Sequence, residues 1–134
     1  MRANPLTRLP ANPITDMIIG TGVDITEVRR LRQAVEKWGD SFLQRIFTQE
    51  ELDNAKTRGS LYQHLAGRFA AKEAVFKALG DAALNWKDVQ ILNDKSGRPV
   101  CKFLHGRGKN AEVHLSISHV KNYAVANAVV TQKA

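Results

Sequence analysis

The stretch Leu65-Ala-Gly-Arg-Phe-Ala-Ala-Lys-Glu-Ala-Val-Phe-Lys-Ala-Leu79 restricts the fold more than any other part of the chain. Every position in it except Arg68, Lys72, Glu73 and Lys77 is apolar or glycine. A helix that is apolar nearly all round belongs inside a larger core or a membrane. No run in the chain reaches the roughly 18 to 20 consecutive apolar residues that a spanning helix needs. The helix, read from Ser60 to Leu79, is therefore expected inside a packed domain. At about 100° per residue Leu61, Leu65, Phe69, Val75, Phe76 and Leu79 share one stripe, and Arg68 and Lys72 project into it. The alanine side can receive another backbone closely.

Charges on such a helix cost several kcal/mol each unless they are paired or bound to something. Glu73 and Lys77 are four residues apart in the favourable order for a helix ion pair. One reading is a helix salt bridge, with Arg68 and Lys72 snorkelling to water. The other gathers the four charges around a ligand.

The segments around this helix suggest the rest of the fold. Ile18 to Thr26 is rich in β-branched residues and reads as a strand, with Gly20 and Gly22 leaving one face bare beside Asp24. A helix is expected from Glu27 to about Trp38, then two short helices over 40–46 and 49–56. Thr48 and Glu51 match a capping box at the start of the second. Strands follow over 87–93, 99–103, 112–119 and 123–131, with Asp94-Lys-Ser-Gly97 turning between the first two. One strand, a helical block and a run of strands predict a single α+β domain, with the long buried helix packed on a mostly antiparallel sheet. That domain spans 17–134; residues 1–16, which hold Pro5, Pro10 and Pro13, read as an extended N-terminal arm.

Two further segments carry polar groups that suit chemistry. Asp24 stands at a strand end, where it either caps the next helix through Asp24-Ile-Thr-Glu27 or serves a site. In His114-Leu-Ser-Ile-Ser-His119, Ser116 and Ser118 face one side and Leu115 and Ile117 the other. No G-x-S-x-G elbow accompanies the serines, and no H-E-x-x-H or cysteine pair suggests zinc. With 20 Lys+Arg against 13 Asp+Glu, the chain carries +7, which attracts anionic partners. Arg29, Arg30 and Arg32 cluster on the first helix; Lys95, Arg98, Lys102, Arg107 and Lys109 cluster over 94–110. A non-catalytic basic module that binds nucleic acid or an acidic protein is one reading of this charge. No helix-turn-helix spacing or aromatic-rich basic strand supports nucleic acid. The lone Cys101 and the absence of an apolar leader run near the N-terminus point to a reducing, cytoplasmic setting, with no membrane.

Three segments together, Ile19-Gly-Thr-Gly-Val-Asp-Ile25, Gly67-Arg-Phe-Ala-Ala-Lys-Glu-Ala74 and Leu115-Ser-Ile-Ser-His119, resemble the holo-[acyl-carrier-protein] synthase family, the small bacterial 4′-phosphopantetheinyl transferases. The likeness runs from about Met17 to Val130. It implies transfer of the phosphopantetheine arm of coenzyme A to a serine of apo acyl carrier protein, releasing adenosine 3′,5′-bisphosphate, as in fatty-acid biosynthesis. It further implies magnesium and a homotrimer with active sites at the subunit interfaces. By the same resemblance Asp24 and Glu73 are the magnesium carboxylates, and Lys77 neutralises phosphate charge. Arg68, Ser118 and His119 are coenzyme A contacts, and Gly20 and Gly22 leave room for the pyrophosphate. Glu73 is the expected acceptor of the serine proton. Arg30, with Arg29 and Arg45, is expected to dock the acidic carrier. The chain departs from the family pattern in the loop Gly80-Asp-Ala-Ala-Leu84, which lacks a glycine-rich run, and in Gly106-Arg-Gly-Lys-Asn110.

Overall fold

Alternation along the first strand decides how the long helix seats. A computed structural model describes residues 17–80 and 84–133; the expected arm over 1–16 lies outside them. Strand β1 (Ile18–Glu27) turns Gly20, Gly22, Asp24 and Thr26 inward, while Ile19, Thr21, Val23 and Ile25 are exposed. It is followed by helices α1 (Val28–Trp38), α2 (Asp40–Ile46), α3 (Gln49–Lys56) and α4 (Leu61–Leu79). A 3₁₀ turn (Trp86–Asp88) then leads to β2 (Val89–Asn93), β3 (Pro99–Phe103), β4 (Ala111–His119) and β5 (Tyr123–Gln132).

The α+β architecture agrees with the expectation, and every strand pair is antiparallel. The strands divide differently, however. β1 joins the late strands in a three-stranded sheet of order β1-β5-β4, and β2 and β3 form a separate hairpin. Pairing of Ile25 with Val125 and of Ser118 with Val125 fixes the register, so β5 is shielded on both edges.

Helix α4 lies across the inner face of the three-stranded sheet, and small residues let it come close. Ala126 and Ala128 of β5 pack in one cluster with Ala70, Ala71, Ala74 and Ala78, and Ala124 in the other with Leu65 and Ala66, all buried. A Cβ on Gly22 would sit 2.0 Å from the Ala74 carbonyl oxygen, and one on Gly20 2.1 Å from that of Ala78. The bare strand face is thus filled by helix backbone and leaves no room there for a pyrophosphate. The apolar groups of α4 do not form one stripe. Val75 packs with Val89, Ile91 and Val130, whereas Leu65 packs with Leu31, Ile46, Phe47 and Leu52. The helix stops at Gly80, whose φ of 64° is left-handed backbone and whose N–H donates to Phe76 O.

Local signals were mostly realised. Thr48 Oγ1 accepts from Glu51 N, and Glu51 Oε1 accepts from Thr48 N, closing the capping box of α3. The Asp24-to-Glu27 box does not form: Asp24 lies within β1, and α1 is capped by Glu27 without a side-chain bond. The stretch read as strand from residue 87 starts instead as the 3₁₀ turn, which Asn85 and Asp88 close with their own capping box.

Candidate active site

Where β1 crosses α4, the inward residue Asp24 meets Glu73 and Lys77. Lys77 Nζ donates to Asp24 Oδ1 at 3.1 Å and to Val23 O at 3.0 Å. Lys77 therefore pairs across elements with Asp24, and the helix salt bridge with Glu73, one of the two readings of these charges, is not the pair made. Thr26 Oγ1 donates to the other oxygen, Asp24 Oδ2, at 3.2 Å. Burial, then a hydrogen bond to the Asp24 carboxyl and its charge, push Glu73 up to about 7, against the pull of Lys77. The centre opens into a cleft of about 330 Å³, whose walls include Leu31, Phe42 and Phe69 and whose rim includes Arg30.

Two carboxyl groups brought together in this way repel each other when both are charged, and a hard cation between them would relieve that repulsion. Among the described residues no group of three or more His, Cys, Asp or Glu could hold a metal. The protein thus offers two carboxylates. That donor set suits magnesium, which takes one or two carboxylates and completes its octahedron with substrate phosphate and water.

A second cleft, of about 190 Å³, shares no lining residue with the first. Arg58, His64, Arg68, Asn93 and His119 line it. Arg68 does not snorkel: it is only 6 % exposed, and no ion pair among the described residues includes it. Its Nε donates to His64 Nε2 at 3.3 Å and its Nη2 to Asn93 Oδ1. Desolvation first, then Arg68, Arg58 and His119, hold the His64 imidazole down to about 4, so the ring is neutral near pH 7.

Lys72, the remaining cation of the helix, is fully buried. Its Nζ lies 2.7 Å from Glu51 Oε1 and donates to the carbonyls of Ile46, Trp86 and Val89 at 3.0, 3.0 and 2.7 Å. Glu51 Oε2 accepts from Ile91 N at 2.8 Å. The pair ties α2, α3, β2 and the 3₁₀ turn to α4 one residue before Glu73. Burial lowers the Lys72 pKa while Glu51 opposes the shift.

The other expected site residues are dispersed. His119 lines the cationic cleft, but Ser118 belongs to the exposed outer face of β4, with Ser116 and His114. Arg30 borders the carboxylate cleft, whereas Arg29 and Arg32 line a separate groove with Lys121. Arg45 is exposed on α2 and borders neither cleft. His64, Arg58 and Asn93 were missed from the sequence. His64 had a readable signal, since it precedes Arg68 by one helical turn and so shares its face.

A family model described as the 4′-phosphopantetheinyl transferase superfamily matches residues 20–128. A holo-[acyl-carrier-protein] synthase of Thermodesulfovibrio yellowstonii is 43% identical over 116 residues, covering 86% of this chain and all of that one. The crystal structure of a holo-(acyl-carrier-protein) synthase from Bacillus anthracis, in complex with CoA (3′,5′-ADP), superposes with a TM-score of 0.76 at 38% identity. It covers 87% of this chain and 99% of that one. The holo-[acyl-carrier-protein] synthase from Neisseria meningitidis reaches a TM-score of 0.80 at 33% identity, over 87% and 100% of the two chains. The sequence match and the shared fold agree, and the chain belongs to the 4′-phosphopantetheinyl transferase superfamily, in its holo-[acyl-carrier-protein] synthase family.

Proposed function

We propose that this chain transfers the 4′-phosphopantetheine arm of coenzyme A to a serine of apo acyl carrier protein in a magnesium-dependent reaction. The observation that carries the reading is the convergence of Asp24, Glu73 and Lys77 from β1 and α4 onto one point, in a chain of this family. A non-catalytic basic module would not need two carboxyl groups pressed together beside a lysine.

In the proposed reaction the serine Oγ attacks the β-phosphorus of coenzyme A in line. The bond from that phosphorus to the bridging oxygen breaks, and adenosine 3′,5′-bisphosphate leaves. Catalysis of this kind is chiefly positioning and charge stabilisation. Asp24 and Glu73 would hold magnesium, which when bound supplies positive charge to the phosphate oxygens and leaving group. Lys77, anchored by Val23 O and Asp24, is aimed where it adds to that neutralisation. Glu73, which lies at this centre beside Asp24, accepts the serine proton. Arg68 and His119 receive the nucleotide end of coenzyme A, and Arg30 meets the acidic carrier at the cleft rim. Arg29 and Arg45, farther from the cleft, act in steering the carrier.

A homotrimer with interfacial sites belongs to the same proposal. Its support is the outer face of the three-stranded sheet, where Ile19, Val23, Ile25, Tyr123 and Val125 are exposed together. Light scattering of the purified chain would return three times 14.9 kDa. The proposed compartment is the cytoplasm, where Cys101 stays reduced; among the described residues no helix is long and apolar enough to cross a membrane. The activity itself is tested by the intact mass of an apo carrier after incubation with the protein and coenzyme A. A gain of one phosphopantetheine arm supports it; no gain across several carriers with magnesium or manganese returns the chain to the binding-module reading.

A further inference from the structure

Helix α4 carries two phenylalanines two turns apart, Phe69 and Phe76, which share one face of the helix. Phe69 precedes Glu73 by one turn and walls the carboxylate cleft together with Leu31 and Phe42. Trp86 stands behind that wall and is not part of it. Its indole stacks on the Phe69 ring, with 5.0 Å between centroids and 20° between planes, and meets Phe76 edge-on at 5.0 Å and 60°.

The main chain that delivers the indole is tied down from several elements. Trp86 O accepts from Lys72 Nζ at 3.0 Å. Asn85 N donates to Asp88 Oδ2 at 2.9 Å and closes the 3₁₀ turn, and Asp88 Oδ1 lies 2.8 Å from His105 Nδ1. Asp88 O accepts from Leu104 N at 2.8 Å. Phe69, Lys72 and Phe76 follow the spacing of one helix face, so α4 grips the turn through both rings and the ammonium between them. A half-buried phenylalanine without such backing can move between rotamers. The stacked indole holds Phe69 in the one that faces the cleft.

We propose that Trp86 is a positioning residue for carrier recognition: through Phe69 it fixes the apolar wall against which the residues flanking the acceptor serine pack. The inference rests on the proposed transferase function. In that reading the serine reaches the centre made by Asp24, Glu73 and Lys77, and the carrier meets Arg30 at the rim of the same cleft. The chain beside the serine therefore runs along the wall between them, while the nucleotide end of coenzyme A is assigned to the other cleft. A wall fixed in advance leaves less to be ordered when the carrier docks, and aromatic anchors weigh heavily in such contacts. Trp86 touches none of the reacting groups, so its effect belongs in the affinity for the carrier rather than in the chemical step.

The experiment measures kcat and KM for both substrates in the full-length wild type, Trp86→Leu, Trp86→Phe, Phe69→Leu and Phe69→Leu/Trp86→Leu. Melting temperature and oligomeric state serve as checks of folding. Trp86→Leu keeps an apolar chain but removes the stacked ring. It should raise the KM for the carrier about five-fold, the fold-change that matches one aromatic pair, while kcat and the KM for coenzyme A change far less. Trp86→Phe restores a ring and should recover most of the loss. Phe69→Leu removes the ring that meets the carrier and should raise the same KM at least as much. Because Trp86 acts through Phe69, the double variant should be no worse in carrier KM than Phe69→Leu alone. Should Trp86→Leu not fold, Trp86→Met, which fills the space without a ring, takes its place in the single and the double variant. A folded ring-less variant with the wild-type carrier KM overturns the positioning role. So does a Trp86→Phe protein no better than the ring-less one, or a double variant in which the two losses multiply. Equal loss for carrier and coenzyme A overturns the assignment to the carrier. A wild type that transfers no arm to any carrier defeats the underlying function instead.

Discussion

Replacing Gly22 with alanine should damage stability and turnover together, because one contact controls both. The added Cβ would lie 2.0 Å from Ala74 O and 2.9 Å from Ala78 N. These are backbone atoms of α4, so no rotamer change relieves the overlap. β1 or α4 must retreat by at least about 1 Å to reach the shortest tolerable contact. Overpacking of this kind costs about 1–3 kcal/mol. With rigid backbone on the far side we place the loss near the top of that range, about 3 kcal/mol, or about 2 M in urea midpoint for an m-value near 1.5 kcal/mol/M. The retreat also parts Asp24 on β1 from Glu73 and Lys77 on α4, and a misplacement of about 1 Å can cost about 100-fold in rate. Urea denaturation and phosphopantetheine transfer, at matched protein concentration, read the two effects. Gly59→Ala is the control, since a Cβ there meets nothing within 4 Å. A Gly22→Ala protein with wild-type midpoint and rate would refute the claim that close helix approach holds the carboxylate centre together.

Other consequences follow from the same packing. Lys72→Met leaves the Glu51 carboxylate buried without its cation, which should cost about 3–5 kcal/mol. The double variant Lys72→Met/Glu51→Gln should be less damaged than the sum of the singles, and strict additivity in a urea double-mutant cycle would contradict coupling of the pair. Burial pushes the Cys101 thiol up to about 12, so it is neutral at pH 8 and should take iodoacetamide only after denaturation; rapid labelling of the native protein would be inconsistent with this. His64 has its folded pKa below the unfolded value near 6.5. The unfolded chain then binds the extra proton first, so stability should fall as pH drops from about 6.5 toward 4, by about 1 kcal/mol once solvent screening of a half-buried ring is allowed for. His64→Gln should flatten that part of the pH–stability curve; an unchanged slope would contradict it. Arg30→Glu should raise the KM for the carrier with little effect on that for coenzyme A, and equal loss for both substrates would argue against its docking role.

Much of this could be read from local pattern. The helical spacing of Phe42, Leu43 and Ile46 indicated α2, and Thr48 and Glu51 marked the start of α3, legible as a capping box because the box is closed within four residues. Interactions between distant segments were not legible. Glu51 also pairs with Lys72 and accepts from Ile91 N, contacts 21 and 40 residues away that no local spacing encodes. Lys77 looked like the partner of Glu73 because helix neighbours are visible in a sequence, whereas its bond to Asp24 spans 53 positions. Gly20 and Gly22 were recognised as a bare face, but only the fold showed that α4 fills it. The carboxylate centre was anticipated through motif resemblance, and its physical basis, two inward residues of β1 and α4 meeting at the crossing, became visible only in three dimensions.

The central claim is that Asp24 and Glu73, delivered by different elements, form one metal-dependent phosphate centre. Its most direct test is the single-turnover rate of arm transfer against magnesium concentration, measured side by side for the wild type and Asp24→Asn. The account predicts a wild-type rate that rises to saturation with magnesium and vanishes with chelator, and an Asp24→Asn rate at least about 100-fold lower at the same magnesium. A wild-type rate indifferent to chelator, or an Asp24→Asn protein with the wild-type rate and magnesium response, would contradict it.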